Sequence, residues 1–216
     1  MLRSALLSPA VHAFTGLAEG DLRRGNTEGL ASLAAVLGGR SPIATVSQVH
    51  GNRVLAAEDL REDTALEADA LFTTTPGTIV AVRVADCVPV LLAGPGVVAA
   101  VHAGWRGTAA DIVRLSAAAA ATAAGCRVHE LRAAVGPSIR GCCYEVGDEV
   151  IQGVGAVAPG ASWRDGRHVD LAEANRAILA EIGVAVEVVG GCTRCGEGWF
   201  SHRRGDLGRQ VGAIRA

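Results

Sequence analysis

The stretch VADCVPVLLAGPGVVAAVHAGWRG, residues 84–107, contains two apolar runs separated by a glycine–proline–glycine turn. Runs of Val, Leu and Ala bounded by Gly and Pro are typical of buried, paired strands. Residues 88–93 and 97–102 are therefore predicted to form an antiparallel hairpin. Cys87 stands just before the first run and His102 ends the second. The pattern brings a thiol and an imidazole to the same open end of a hydrophobic hairpin.

Pairing the two runs across this turn predicts that Cys87 lies opposite residue 103, one position from His102. Opposed residues of an antiparallel pair are roughly 4.5–5.5 Å apart at Cα, so the two side chains could share a metal ion or form a hydrogen-bonded dyad. His50, in SQVHGN at residues 47–52, is a third candidate ligand. Two His and one Cys leave the fourth position of zinc open for water or substrate, and the same set suits copper.

Composition predicts a folded, single-domain protein over residues 1–216. Hydrophobic residues make up 50% of the chain and charged residues 19%, which excludes a disordered chain. The net charge of −2 gives no electrostatic signal for nucleic acid. No apolar run is long enough for a transmembrane helix, and the apolar start is too short and interrupted for a signal peptide. We therefore expect a cytoplasmic protein with reduced thiols and no membrane partner; the oligomeric state is not indicated.

Strand and helix patterns mix along the chain without a strict alternation. Helices are predicted at 26–37, 108–124 and 170–182, and strands at 43–46, 78–84, 88–93, 97–102, 131–135, 184–189 and 209–214. This order favours an α+β fold, with a mixed β-sheet core flanked by helices, over a doubly wound fold.

Two glycine-bearing basic segments are candidate anion sites. In HAGWRGT, residues 102–108, Arg106 stands between glycines before the helix predicted to begin near Thr108, so a helix N-terminus and a guanidinium could bind an anion together. The alternative is a tight turn with Arg106 in a salt bridge. FSHRRGDLGRQ, residues 200–210, adds further basic groups. The predicted substrate and phosphate contacts are Gln48, Arg106, His202 and Arg203.

Five segments together resemble the laccase-domain family. They are SQVHGN, ADCVPVLL, VHAGWRGT, GPSIRGCCYEVG and CTRC followed by FSHRRGDLGRQ, in family order over roughly residues 42–210. These proteins were long named multicopper polyphenol oxidases and are now described as purine nucleoside phosphorylases. The resemblance implies an α+β fold and a metal, usually zinc, held by His50, Cys87 and His102. It also implies phosphorolysis of adenosine, inosine and methylthioadenosine, with deamination of adenosine, so the expected partners are a purine nucleoside and phosphate.

The N-terminal region departs from the family pattern. The segment HAFTGLAEGDLRRGNTEGL, residues 12–30, lacks the Arg-Gly-Gly-rich loop and the Ser-Leu-Asn segment that usually form one wall of the pocket. Substrate contacts from that wall are therefore not transferred to this chain.

Two other hypotheses for an enzymatic function remain open. One is a copper-dependent polyphenol oxidase. A full multicopper oxidase would need a mononuclear site and a trinuclear cluster rich in His, yet the chain has only six His; single-copper chemistry stays open, because copper binds such ligands more tightly than zinc. A metal-free hydrolase would use Cys87 as nucleophile and His102 as base.

A non-enzymatic hypothesis is a structural metal site formed by four other cysteines. Cys192 and Cys195 form a C-x-x-C pair that could be half of a structural zinc site with Cys142 and Cys143. Adjacent cysteines are expected to be poorly disposed to share one ion, so buried thiols are predicted instead.

Overall fold

Two main β-sheets lie between layers of helices in the computed structural model, which describes residues 1–38, 42–60, 66–163 and 166–216. The strands are β1 (His12–Phe14), β2 (Val54–Ala56), β3 (Ala70–Thr73), β4 (Ile79–Val84), β5 (Val88–Gly94), β6 (Val97–Ala103), β7 (Arg132–Val135), β8 (Ser162–Trp163), β9 (His168–Val169), β10 (Ala185–Val188) and β11 (Gln210–Arg215). The helices are α1 (Thr27–Val36), α2 (Trp105–Ala109), α3 (Ile112–Ala124), α4 (Asp148–Val157) and α5 (Leu171–Glu181).

The larger sheet has six strands in the order β10-β7-β5-β6-β3-β2, and the smaller has the order β1-β11-β4; β8 and β9 form a separate two-stranded sheet. The β10–β7 and β2–β3 pairs are parallel, whereas β3–β6, β5–β6 and β5–β7 are antiparallel. A mixed sheet flanked by helices confirms the predicted α+β fold.

Three apolar clusters define the layers. Helices α3, α4 and α5 cover one face of the larger sheet, where Val90, Val101 and Ile112 are buried together. The opposite face packs on the smaller sheet through residues such as Leu91. Helix α1 covers the outer face of the smaller sheet with Leu33. The larger sheet is thus buried on both faces, which explains why β5 and β6 are continuously apolar.

The β5–β6 hairpin forms as predicted, with its register one residue away from the expected one. Pro89 pairs with His102 and Val88 with Ala103. Continued one step, this register places Cys87 across from Gly104. Because side chains alternate along a strand, Cys87 and His102 project to the same face as diagonal neighbours, and Gly104 leaves the space between them free.

The helix predicted at 108–124 is two helices. Helix α2 begins at Trp105, and Asp111, with a φ of 63°, separates it from α3. Thr108 is not an N-cap: it is buried inside α2, where its hydroxyl accepts a hydrogen bond from the Asn175 amide at 3.0 Å. Arg106 therefore lies within α2 rather than before a helix. The five-residue α2 provides no long aligned dipole, so anion attraction here must come from side chains.

Several other elements differ from the sequence prediction. Helix α4 was not predicted, because Gly153 and Gly155 weaken the helical pattern, yet packing of Gly153 against Ala109 in α2 favours it. The strand predicted at 43–46 is reduced to an isolated bridge between Ala44 and Val80. No helix in the described ranges has both the length and the apolar character needed to cross a membrane.

Candidate metal centre

Three side chains converge at the open end of the β5–β6 hairpin. The potential ligand atoms of His50, Cys87 and His102 all lie within 4.8 Å of one another. The two imidazole rings meet edge to face, with centroids 4.8 Å apart and an interplanar angle of 81°. His50 comes from the loop before β2, Cys87 from the β4–β5 connection and His102 from β6. The structure brings the three predicted ligands together.

Asp69, which was not predicted from the sequence, orients two of these three residues. It is fully buried and directly precedes β3, opposite His102 in the β3–β6 register. Its Oδ1 lies 2.7 Å from His102 Nδ1 and accepts the backbone N–H of His50 at 2.9 Å. Its Oδ2 accepts the N–H of Gly51 at 2.7 Å. One carboxylate thus orients the His102 ring and holds the loop that carries His50.

Local backbone geometry brings the His50 loop close to the hairpin. His50 has a φ of 61°, an uncommon left-handed conformation that the hydrogen bonds to Asp69 support. A Cβ at Gly104 would lie 3.0 Å from His50 Cδ2 and 3.3 Å from Cys87 Sγ. A larger residue at position 104 would therefore crowd both ligands.

Cys87 and His102 form a charged pair. Burial acts to raise the pKa of the Cys87 thiol, but the His102 charge and hydrogen bonds from both histidines outweigh it and lower the pKa to about 6. Burial acts to lower the pKa of His102, but the Cys87 thiolate and Asp69 raise it to about 9. Hydrogen bonds from His102 and Gly51 overcome burial and hold the pKa of Asp69 below its usual value. A thiolate, the form that binds metals, is therefore favoured at neutral pH.

This donor set fits a metal ion. A hydrogen bond from His102 Nδ1 to Asp69 directs the other ring nitrogen, Nε2, towards the cluster, as in the carboxylate–histidine–metal arrangement of many metalloproteins. Two imidazoles and a thiolate suit zinc with one position open for substrate, and they also suit copper.

The cluster opens into a cleft of about 840 Å³ lined by basic side chains. This size is in the range of small-molecule sites. Six arginines line it: Arg23, Arg24, Arg83, Arg106, Arg203 and Arg209. Among the described residues, only Arg23 of these six pairs its guanidinium with a carboxylate, that of Asp21 at 3.1 Å. The cleft therefore carries excess positive charge suited to an anion.

The four predicted substrate contacts all border this cleft, in different environments. Arg106 is exposed, with its guanidinium 4.3 Å from the Trp105 ring centroid, and makes no ion pair with the described residues. His202 and Arg203 are exposed at the rim. The Gln48 amide donates to the Arg83 carbonyl at 2.7 Å and accepts the Arg83 N–H at 2.8 Å. Gln48 therefore stabilises the wall of the cleft.

The divergent N-terminal segment also contributes to the cleft. Arg24 lines it and donates to the Ser47 hydroxyl at 3.3 Å. Arg83 faces the same space, and burial, reinforced by the charge of Arg24, lowers its pKa. This wall is basic, although it lacks the usual family sequence. The doublet Arg23-Arg24 in the sequence was the available signal for it.

Arg204 lies outside this cleft. Its guanidinium pairs with Asp206 at 2.6 Å and donates to the backbone carbonyls of Thr193 and Arg194. It holds the C-terminal loop together, whereas the neighbouring Arg203 reaches the cleft.

Asp86, adjacent to Cys87, is a second carboxylate that was not predicted from the sequence. It has a φ of 81°, and its oxygens accept the Thr193 hydroxyl and the Arg203 backbone N–H, each at 2.6 Å. Asp86 therefore ties the loop that bears Cys87 to the C-terminal segment that bears Arg203.

The Cys87–His102 charge pair predicts an unusual pH profile for thiol alkylation. In protein stripped of metal, iodoacetamide should modify Cys87 with a midpoint near pH 6, against 9.0 for an ordinary thiol. Peptide mass spectrometry across a pH series measures this rate. In His102→Ala the midpoint should rise, because the stabilising charge is gone; identical midpoints in the two proteins would disprove the pairing.

Comparison with known proteins shows the family of the chain. The chain belongs to the multi-copper polyphenol oxidoreductase laccase family, whose model matches residues 9–216. It is 41% identical over 196 residues to a protein named purine nucleoside phosphorylase from Deinococcus radiodurans, covering 87% of this chain and 76% of that one. It is 37% identical over 183 residues to adenosine deaminase RL5 from an unknown prokaryotic organism, covering 73% and 68% of the two chains.

A solved structure shares the fold. The crystal structure of YlmD from Geobacillus stearothermophilus superposes with a TM-score of 0.82 at 30% identity, covering 98% of this chain and 93% of that one. The relatives are thus named as enzymes of purine nucleosides, while the family description refers to oxidation.

Proposed function

We propose that this chain is a purine nucleoside phosphorylase that cleaves adenosine, inosine and methylthioadenosine with phosphate and also deaminates adenosine. The observation that carries the proposal is the His50–Cys87–His102 cluster at the floor of an arginine-lined cleft. The names of the relatives support the same reading.

Phosphorolysis requires phosphate to be held against C1′ of the ribose. An oxygen of phosphate forms a bond to C1′ while the bond from C1′ to the purine nitrogen breaks, and its electron pair leaves with the base. The products are the free base, which takes up a proton, and a sugar 1-phosphate: ribose 1-phosphate from adenosine or inosine, and 5-methylthioribose 1-phosphate from methylthioadenosine. Arg106 and Arg203, exposed at the cleft with their guanidiniums unpaired by carboxylates, are the proposed phosphate ligands.

Two aromatic residues of the cleft suit the nucleoside. Trp105 lines the cavity with the Arg106 guanidinium over its ring, and this stacked pair is the proposed contact for the purine. Burial raises the pKa of Tyr144 to about 12, so its phenol remains a hydrogen-bond donor at neutral pH. The guanidinium of Arg203 lies 5.2 Å from the Tyr144 ring centroid, which places the proposed phosphate ligand beside this donor.

His50, Cys87 and His102 would hold a zinc ion, with copper as the alternative occupant. When bound, the ion supplies Lewis acidity for the deamination, in which water replaces the amino group of adenosine and ammonia leaves. Asp69 keeps His102 oriented throughout, and Gly104 leaves room beside the ligands.

Replacing Arg106 should affect phosphate use more than folding. Arg106→Ala is expected to raise the apparent KM for phosphate by roughly 10- to 100-fold, since a charged hydrogen bond contributes about 1.5–3 kcal/mol. The melting temperature should change little, because Arg106 is exposed and makes no ion pair with the described residues. Steady-state kinetics at varied phosphate, with thermal unfolding alongside, measures both.

Arg127→Ala is the matched control for Arg106. Arg127 is exposed, pairs with Glu130 and does not line the cleft. Its loss should leave phosphate kinetics unchanged. If Arg106→Ala instead lowers the melting temperature by several degrees with normal kinetics, Arg106 is a structural residue.

A copper-dependent phenol oxidase is the second candidate, favoured by the family description and by a donor set that accepts copper. The remaining histidines do not support a multicopper centre. His12 is buried, accepts the Ser4 N–H at 2.9 Å and contacts the Ala10 carbonyl through its other nitrogen. Of the clusters of potential metal ligands found among the described residues, only His50–Cys87–His102 contains histidine.

The deciding experiment compares the products formed from adenosine by zinc-loaded protein with and without phosphate, separated by chromatography. Adenine should form only with phosphate, and inosine should form in either case through deamination. Adenine formed equally without phosphate would identify a hydrolase and contradict the proposal.

A further inference from the structure

Four cysteines outside the cleft meet at a single point. The sulfur atoms of Cys142, Cys143, Cys192 and Cys195 all lie within 4.8 Å of one another, and Cys142 Sγ is 3.7 Å from Cys195 Sγ. All four are free thiols in the structure. The expectation that adjacent cysteines would be poorly disposed to share an ion was therefore wrong for Cys142 and Cys143, and Cys142 and Cys195 are exposed rather than buried.

Backbone contacts bring the two pairs of cysteines together. Cys192 forms an isolated parallel bridge with Ser138, and the Thr193 N–H donates to the Ser138 carbonyl at 3.0 Å. The Cys143 N–H donates to the Arg140 carbonyl at 2.8 Å, which closes a tight turn around residues 140–143. Because this turn is not an extended strand, consecutive side chains need not point to opposite faces.

We propose that these four cysteines form a second metal site, a closed four-thiolate site for one zinc ion. Zinc–sulfur bonds of about 2.3 Å in a tetrahedron place the sulfurs about 3.8 Å apart. The observed separations, 3.7 Å for one pair and no more than 4.8 Å for any, need only small side-chain shifts to reach that geometry. A disulfide requires a sulfur–sulfur distance of about 2.0 Å and would use only two of the four.

One backbone contact supports a thiolate at Cys192. The Arg140 N–H donates to Cys192 Sγ at 3.4 Å, a contact that stabilises negative charge on sulfur. Four protein ligands leave zinc no open position, so the site would be structural rather than catalytic. It is distinct from the cleft, where Cys87 is the thiol ligand.

A metal ion at this site would also stabilise residues that line the cleft. Thr193, between the two cysteines of the C-terminal loop, donates its hydroxyl to Asp86 at 2.6 Å, and Asp86 adjoins Cys87. Asp86 also accepts the Arg203 backbone N–H. A zinc ion bound by Cys192 and Cys195 would therefore fix the position of Thr193. Through Thr193 it would stabilise Asp86 and the segment that carries Arg203.

Metal counting by mass spectrometry, on protein purified under reducing conditions without added metal, tests the proposal. The wild type should contain about two zinc ions per chain, and the double variant Cys142→Ser/Cys195→Ser about one. Cys87→Ala should also contain about one, retained by the four-cysteine site. Cys126→Ser is the control, because Cys126 belongs to neither cluster, and it should match the wild type.

Cobalt substitution keeps the test informative even if the double variant folds poorly. Cys87→Ala protein refilled with cobalt should show the strong sulfur-to-metal absorption of a four-thiolate site, and a further Cys195→Ser change should weaken it. A Cys87→Ala protein that binds no metal would overturn the proposal. So would an intact mass lighter by two hydrogens under non-reducing conditions, abolished by Cys142→Ser, because that result identifies a disulfide. Neither readout depends on nucleoside cleavage, so this proposal and the proposed function can fail separately.

Discussion

Cys87→Ala is expected to abolish both phosphorolysis and deamination, with each kcat/KM falling roughly 10³-fold or more. The substitution removes the only thiolate from a three-ligand site, and two imidazoles alone hold zinc weakly. It also removes the negative charge that raises the pKa of His102. Adenosine turnover followed by chromatography, with metal content measured on the same sample, checks the prediction.

Cys126→Ala provides the matched control for this loss. It removes a partly buried thiol that lies just after α3, packs on the core and is outside the cleft. Activity and cleft metal should both stay near wild type. A Cys87→Ala protein that keeps full activity would show that the cluster is not the reaction centre.

Asp69→Asn should have the second largest effect. The change keeps the shape of the side chain but places an amide N–H₂ where the carboxylate accepts hydrogen bonds from His50, Gly51 and His102. Loss of such a carboxylate partner typically reduces metal affinity or activity 10–100-fold. Because Asp69 is fully buried, the free energy of unfolding should also fall by about 3–5 kcal/mol.

Zinc titration against a competing chelator, together with denaturant unfolding, measures these two effects. Asp59→Asn is the control, since Asp59 is an exposed carboxylate that does not line the cleft. Unchanged zinc affinity in Asp69→Asn would mean that the carboxylate serves only to hold the fold.

The hairpin and its two reactive residues could be predicted because the information is local. Apolar runs flanking Gly94–Gly96 define two strands and a turn, and alternation along each strand places Cys87 and His102 together. The register differed by one residue, since the sequence does not show how the ends of a turn pair.

Asp69 could not be predicted because its role depends on a distant strand pairing. It lies opposite His102 only because β3 adds to the edge of β6, and the four-residue β3 gives a weak strand pattern. The same reason hid Asp86, whose partners Thr193 and Arg203 lie far away in the sequence.

The four-cysteine cluster shows the opposite case, in which a sequence rule gave the wrong expectation. The spacing of Cys192 and Cys195 suggested half a metal site, but the adjacent residues Cys142 and Cys143 were expected to be poorly disposed to share one ion as the other half. The tight turn around residues 140–143 removes that objection. Turn geometry of this kind was not evident from the glycine-punctuated segment that contains it.

Quantifying ribose 1-phosphate alongside the free base tests the central claim most directly. Zinc-loaded protein given adenosine or inosine should release base and ribose 1-phosphate in equal amounts when phosphate is present, and neither when it is absent. His102→Ala should release neither under both conditions. Zinc-loaded protein that yields no ribose 1-phosphate, while the copper-loaded form rapidly oxidises a phenolic dye, would contradict the phosphorylase assignment and support an oxidase.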